Sequence, residues 1–139
     1  TQRLGIENTE IYLDTTMRGT MHALYKLRDK LVSDGVLVLY GHHLVRPRHL
    51  QEMINMNKIG TITSLYKTSS NNPRSFADMA ADWRVIDLSR GNDKVQLQDL
   101  QYYIDPPYRV PQKFVRLQED RAICCHDAIK EWLDAGNDA

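Results

Sequence analysis

The spacing of apolar residues along the chain predicts alternating helices and strands. Apolar side chains recur every three or four residues over 17–31, which predicts a first helix that is capped by Asp14 and stopped by Gly35. Residues 36–40 are all apolar or aromatic and have a glycine on either side, so they predict a strand buried on both faces. A short strand over 10–13 is expected to precede the first helix.

The middle of the chain predicts a second helix between two strands. Proline suits the first turn of a helix, so Pro47 predicts where this helix begins, and a second strand is expected over 61–67. A strand, a helix and a strand in this order fit either a right-handed crossover or two antiparallel strands with a helix between them. The sequence leaves both arrangements open.

The second half of the chain predicts shorter elements. Residues 75–82 begin with the spacing of a capping box and predict a short helix, and the alternation over 83–97 predicts a hairpin. The proline pair at 106–107 is expected to end the next element. A strand over 113–117 and a final helix over 119–133 complete the prediction. Together these elements predict an α+β fold, with a mixed sheet of about four to five strands and three to four helices.

Length and composition predict one globular domain. A chain of 139 residues, 42% hydrophobic and 26% charged, is long enough for a single core and is neither disordered nor collagen-like in composition. We therefore expect one α+β domain over residues 1–139, and the absence of an initiator Met suggests a fragment of a longer protein. Its apolar runs fall far short of the ~20 residues that a membrane helix needs, so no membrane partner is expected. Two adjacent cysteines without a secretory segment predict an intracellular protein, cytoplasmic or nuclear.

The charges are unevenly distributed along the chain although their sum is zero. Residues 1–75 hold ten Lys and Arg against six Asp and Glu, whereas residues 76–139 hold eight against twelve. Between Asp34 and Asp78 the only acidic residue is Glu52. This asymmetry predicts a positively charged surface that is built from the middle of the chain.

The acid-poor segment contains residue types that bind phosphate. Residues 40–49 hold three histidines and two arginines ahead of a predicted helix, where guanidinium, imidazole and backbone N–H groups can converge on a phosphate. We therefore expect a nucleic-acid or phosphate-backbone binding domain of a larger nucleic-acid-handling protein, and the pattern does not distinguish DNA from RNA. The expected contact residues, two of them at the hairpin tip, are Arg46, Arg48, His49, Lys67, Arg74, Arg90 and Lys94.

The sequence leaves open whether the chain is an enzyme. His42, His43 or His49 could act as the general base of a small phosphodiester-cleaving or hydrolytic enzyme, given an orienting carboxylate such as Asp87 or Glu52. In an extended chain, the side chains of the first two histidines would point to opposite sides. The chain contains none of the glycine motifs GxGxxG, GxxxxGK[ST] and GxSxG, so the nucleotide-binding and hydrolase folds that depend on them are not indicated.

We expect neither a metal nor a cofactor. The three histidines over 42–49 are spaced too densely for a standard zinc template. Residues Cys124, His126 and Asp127 fall inside the predicted final helix, where consecutive side chains point around the axis and cannot share one ion. The pattern predicts instead that Cys125 packs in the core and that His126 and Asp127 are exposed.

A protein–protein assembly domain is the alternative function. Residues 105–111 contain three prolines and a tyrosine, and an extended segment with few backbone donors can lie in the groove of a partner.

Overall fold

The computed structural model describes residues 10–56, 60–68, 76–89 and 101–137. Within these ranges the chain forms four α-helices, a short 3₁₀ turn and five strands, which confirms the α+β class. In chain order the elements are α1 (Thr20–Lys26), the 3₁₀ turn (Arg28–Lys30), β1 (Gly35–Val38), α2 (Pro47–Asn55), β2 (Ile62–Thr68), β3 (Phe76–Met79), β4 (Val85–Ser89), β5 (Gln101–Pro111), α3 (Gln112–Arg116) and α4 (Cys125–Asp134).

The long strand β5 lies at the centre of the sheet. β2 pairs with most of its length, β1 pairs with its last four residues, and β3 meets it at Tyr103. Tyr108 has partners in both β1 and β2, so these two strands lie on opposite edges of β5. β4 extends the sheet beyond β3. All the described pairings are antiparallel, so the sheet is antiparallel rather than mixed across the described ranges.

The connection from β1 to β2 is a crossover. Both strands run antiparallel to β5, and they therefore run in the same direction as each other with β5 between them. Helix α2 carries the chain from one edge of β5 to the other. Of the two arrangements open from the sequence, the one with two mutually antiparallel strands is wrong.

The proline pair lies inside β5 and does not end it. The register with β2 shifts between Thr63, which pairs with Tyr108, and Ser64, which pairs with Asp105. The two prolines lie in this bulge, where the missing N–H of proline costs no ladder hydrogen bond. Their shared peptide bond is cis, and both side chains are fully buried. Residues 105–111 thus belong to the central strand of the sheet and do not form a separate extended connection.

The helix predicted over 75–82 is wrong, because residues 76–79 form strand β3. This strand pairs with β4 across a tight turn in which the Ala80 N–H donates to the Arg84 carbonyl oxygen at 2.9 Å. The hairpin is therefore β3–β4, and β4 supplies only the first half of the hairpin predicted over 83–97. The predicted tip at 90–93 and the second half lie outside the described residues.

Three further predictions at the two ends of the chain need correction. Residues 10–13 form no strand, and the segment predicted as a strand over 113–117 is mostly helix α3. Phe114 and Val115 are both fully buried there, so a single turn of helix places two adjacent apolar side chains in the core. Helix α4 begins at Cys125, not at residue 119.

The core forms where α1, α3 and α4 pack against the sheet. Burial of these apolar side chains is the main contribution to stability, and each fully buried large side chain contributes on the order of 1.5–3 kcal/mol. The core includes Met21, Leu88, Ile104, Tyr108, Val110, Phe114, Val115 and Ile129. In the described ranges, no helix has the length and apolar character to cross a membrane.

Backbone contacts hold the start of α1 against the segment that precedes α4. The Ile123 N–H donates to the Arg18 carbonyl oxygen at 2.9 Å, and the Ile123 carbonyl oxygen accepts from the Met21 N–H at 3.2 Å. Gly19 lies between these contacts with φ +104°, and a Cβ atom there would lie 2.4 Å from the Ile123 oxygen. Only glycine fits both the backbone angle and the space.

A carboxylate strengthens the same junction. Asp120 accepts from Arg18 Nη1, His22 Nε2 and Lys26 Nζ, each at 2.9 Å. The imidazole of His22 is fully buried, and its Nδ1 lies 3.4 Å from the Thr16 hydroxyl. Asp120 therefore joins side chains of α1 and of the turn before it to a position about a hundred residues later in the chain.

Candidate functional site

The candidate site is the loop between β1 and α2. The backbone turns at 40–43, where the His43 N–H donates to the Tyr40 carbonyl oxygen at 3.0 Å. The turn brings the rings of His42 and His43 to a centroid distance of 4.3 Å, and each lies 5.8 Å from the Tyr40 ring. The prediction that the two histidines point to opposite sides is wrong, because Gly41 follows Tyr40 in a turn and the chain is not extended there.

A carboxylate from the central strand lies beside one of these histidines. Asp105 Oδ2 is 3.7 Å from His43 Nε2. Both groups reach solvent, since 24% of the His43 side chain and 44% of the Asp105 side chain are exposed. This distance is longer than a hydrogen bond, so a side-chain rotation has to close it before the carboxylate orients the imidazole as a general base requires.

The carboxylates that the sequence suggested for this role are engaged elsewhere. Asp87 Oδ1 accepts from Lys130 Nζ at 2.8 Å, and this hydrogen bond is the main reason why the pKa of the Asp87 carboxyl is lowered. Glu52 Oε1 accepts from Arg48 Nε at 2.8 Å. Asp105 was missed because its approach to residue 43 depends on the pairing of β1 with β5, which no local pattern reveals.

His49 faces the interior and joins α2 to the sheet. Its Nε2 lies 2.8 Å from the hydroxyl oxygen of Ser64, which is buried in β2. The Ser64 hydroxyl lies 2.9 Å from the Pro107 carbonyl oxygen, which can only accept, so the hydroxyl donates there and accepts from His49 Nε2–H. This nitrogen of His49 therefore anchors the helix and is not offered to a ligand.

The first turn of α2 carries two exposed arginines. Arg46 is the residue that precedes the helix, in extended backbone conformation, and Pro47 occupies the first helical position. The Arg48 side chain is 90% exposed, and its ion pair with Glu52 joins two exposed side chains one helical turn apart. Such a pair is worth about 0.3–0.5 kcal/mol, so it leaves the guanidinium able to exchange partners.

The seven predicted contact residues are thus only partly placed by the structure. Arg46 and Arg48 lie together at the helix start and His49 lies inward. Lys67 belongs to β2, but the position of its side chain lies outside what is described. The remaining three predicted contacts lie outside the described residues altogether: Arg74, Arg90 and Lys94.

Two tyrosines, the half-buried Tyr40 and the buried Tyr108, lie next to the histidine pair. The Tyr40 hydroxyl donates to Thr20 Oγ1 at 3.1 Å, and burial raises its pKa to about 12. The Tyr40 and Tyr108 rings meet edge to face at 6.4 Å, and burial also raises the pKa of Tyr108. Both phenols are consequently neutral at physiological pH, so they add no negative charge to a site that would have to accept an anion.

No family model and no curated protein matches the sequence. Among solved structures, the fold is similar to that of HddC from Yersinia pseudotuberculosis, which was crystallised in complex with GMP-PN. The two chains are 12% identical with a TM-score of 0.54, and the match covers 83% of this chain and 49% of HddC. The chain therefore spans about half the length of the structure that it resembles, and the likeness concerns the fold alone.

Proposed function

We propose that the chain binds a phosphate-bearing ligand of the nucleotide type at the β1–α2 loop. The observation that carries the proposal is the turn at 40–43, which gathers two imidazoles just ahead of the helix start where Arg46 and Arg48 are exposed. Guanidinium groups, imidazoles and the amides of a helix N-terminus together can neutralise and orient a phosphate. The guanine nucleotide analogue bound by HddC, a structure of similar fold, supports the choice of a nucleotide as the first ligand to test.

A nucleic-acid strand carries the same phosphate groups as a nucleotide but is a longer ligand. Lys67, Arg74, Arg90 and Lys94 would have to continue the surface for a strand to follow it. Within the described residues, the exposed cations at the loop number only two, which is enough for one nucleotide. The nucleic-acid-handling role remains a proposal that depends on those four side chains. We also propose a reducing, intracellular compartment, which the use of only two, adjacent cysteines in the sequence favours.

Fluorescence anisotropy with a labelled guanosine triphosphate tests the proposal. We expect saturable binding that weakens as KCl is raised, because exposed charges are screened. Replacing both Arg46 and Arg48 by Ala should weaken binding by about tenfold or more, since a hydrogen bond to a charged group contributes on the order of 1.5–3 kcal/mol. The matched control is Arg116→Ala, which removes an exposed arginine of α3. Helix α3 follows the end of β5 that pairs with the start of β1, whereas the candidate loop follows the end of β1. Absent saturation, or an equal loss in the control, contradicts the proposal.

A labelled single-stranded 20-mer separates a nucleotide from a strand. Each phosphate contact to a single strand contributes a slope of about −0.7 in log K against log salt. A slope much steeper than about −1.4, the value for two contacts, supports strand binding over a longer surface. A strand that binds no more tightly than the nucleotide indicates a single-nucleotide site.

Phosphodiester cleavage is the second candidate function, and the His43–Asp105 pair favours it. The bound phosphate would lie beside an imidazole that a carboxylate can orient. With the activated substrate bis(p-nitrophenyl) phosphate, we expect His43→Ala to lower kcat by about 10² or more, the usual contribution of a general base. His42→Ala removes an imidazole of the proposed phosphate site, so it should raise KM more than it lowers kcat. An unchanged rate in the His43 variant rules out this second function while leaving the binding proposal in place.

A further inference from the structure

Three potential metal ligands converge at the start of α4. Cys124 Sγ lies 3.1 Å from Asp127 Oδ2, and His126 Nδ1 lies 3.3 Å from Asp127 Oδ1. One ligand atom from each of the three residues lies within 4.8 Å of the other two. The group lies much later in the chain than the β1–α2 loop and is not used in the function proposed above, although the Thr20 hydroxyl links the first turn of α4 to Tyr40.

The convergence arises because Cys124 precedes the helix. Its backbone is extended, with φ −92° and ψ 162°, whereas His126 and Asp127 belong to the first turn of the ten-residue helix α4. The sequence prediction that these side chains diverge assumed that all of them are helical, and it is wrong for this reason. An extended residue followed by a helical turn can direct its side chain at the residue three positions later, as in a capping box.

The first turn of α4 is held in place by a neighbouring hydroxyl. Thr20 Oγ1 accepts from the Cys125 N–H at 3.0 Å and from the Tyr40 hydroxyl at 3.1 Å. Cys125 itself is buried in the core, so the backbone on which the three ligands are mounted is anchored from two sides. Ligands that are held in this way lose little freedom when an ion binds.

The separations suit a small tetrahedral ion. Zinc bonds of about 2.3 Å to sulfur and about 2.0–2.2 Å to nitrogen and oxygen imply ligand-to-ligand distances of about 3.3–3.7 Å at tetrahedral angles. The 3.1 Å and 3.3 Å contacts are close to this range but involve different oxygens of Asp127, and one ligand atom from each residue lies within 4.8 Å of the other two, so an ion would draw the three groups together by side-chain rotation. A thiolate and an imidazole favour zinc and similar transition metals over calcium and magnesium, which prefer oxygen ligands.

We propose that Cys124, His126 and Asp127 bind a zinc-class divalent metal ion with three protein ligands. The fourth position is open to water or to an external ligand, as in zinc sites that are not purely structural. On binding, the Cys124 S–H bond breaks, the sulfur electron pair forms the bond to the metal, and the proton passes to solvent.

Titration of the full chain with Co²⁺ under a non-chelating reductant tests the site. We expect a near-ultraviolet thiolate-to-cobalt charge-transfer band that saturates at one equivalent and is displaced by Zn²⁺. Cys124→Ser should abolish this band, whereas Cys125→Ser, the matched control at the adjacent buried cysteine, should retain it. Asp127→Asn should keep the band and weaken cobalt binding by about tenfold or more, as loss of one ligand predicts.

X-ray absorption at the zinc edge gives an answer that does not depend on any variant folding. The zinc-loaded wild-type chain should show one sulfur at about 2.3 Å, with the remaining ligands nitrogen or oxygen at about 2.0–2.2 Å. Absence of a saturable cobalt band in the wild type, or a zinc shell with no sulfur or with two, overturns the proposal. A band that survives intact in a folded Cys124→Ser variant overturns it as well.

Discussion

At the scale of single residues, Asp120 shows how position in the fold sets the chemistry of a side chain. Its pKa is lowered to about 2, first by the hydrogen bond from Lys26, then by that from His22, and further by the charge of Arg18. All three partners lie about a hundred residues earlier in the chain. The sequence could identify an acid near a helix, but it could not identify these partners, because only the folded chain brings them together.

The lowered pKa predicts how the Asp120→Asn substitution affects stability at different pH values. The folded carboxyl has a pKa of about 2, below the ordinary value of 3.8, so the ionised group stabilises the folded state above pH ~4. This contribution is lost as the pH falls from 4 towards 2. Urea unfolding should therefore show a lower midpoint for Asp120→Asn than for the wild type at pH 6, and the difference should shrink at pH 2.5.

An exposed acid provides the control for this prediction. Asp29 is largely exposed and pairs with its neighbour Arg28 only at 3.9 Å, so Asp29→Asn should change the midpoint little at either pH. A difference between Asp120→Asn and the wild type that stays constant from pH 6 to pH 2.5 would mean that ionisation of this carboxyl does not contribute to stability.

At the scale of elements, the sequence correctly predicts those helices and strands whose ends are set by residues within or next to them. Pro47 correctly marks the start of α2, and β1 and β2 lie within one or two residues of the predicted strands. The start of α1 was predicted too early. Asp14 does accept from the N–H and the hydroxyl of Thr16, as a capping residue would, but Met17 and Gly19 then adopt positive φ angles before the helix begins.

Tertiary contacts decided the elements that the sequence misassigned. The spacing over 75–82 fits a helix, but pairing with β4 and with Tyr103 of β5 makes residues 76–79 a strand. The candidate site likewise has one part that the sequence reveals and one part that only the fold determines. The histidines at 42 and 43 stand out in the sequence, whereas their arrangement and the carboxylate of Asp105 depend on a turn and on strand pairing.

Substitution of Gly19 tests the junction between α1 and the segment before α4. We expect Gly19→Ala to destabilise the fold by on the order of 3 kcal/mol or more, because a strained backbone costs about 1–3 kcal/mol and overpacking adds about 1–3 kcal/mol. Gly136→Ala is the matched control, since Gly136 also has a positive φ, +80°, but has no atom within 4 Å of the added Cβ. That control should cost only about 1–2 kcal/mol. Chemical denaturation measures both, and equal losses would show that the contact with Ile123 is unimportant.

At the scale of the whole molecule, the sheet order was beyond sequence reasoning. β5 is the last strand along the chain, but it is the central strand of the sheet, since β1, β2 and β3 all pair with it. The pair Gly35–Pro111 joins residues separated by most of the chain. Hydrophobic spacing could predict that strands exist, but it contains no information on which strands are neighbours, and it suggested a mixed sheet where the described pairings are antiparallel.

The central position of β5 has a consequence for synthesis on the ribosome. A nascent chain that has emerged only as far as residue 100 contains β1 and β2 but not the strand that pairs with both of them, and their edges then present unpaired backbone groups. Such edges can pair with other chains. We therefore expect truncation before residue 101 to yield aggregating polypeptide, and chaperones that recognise extended segments to act before translation reaches β5.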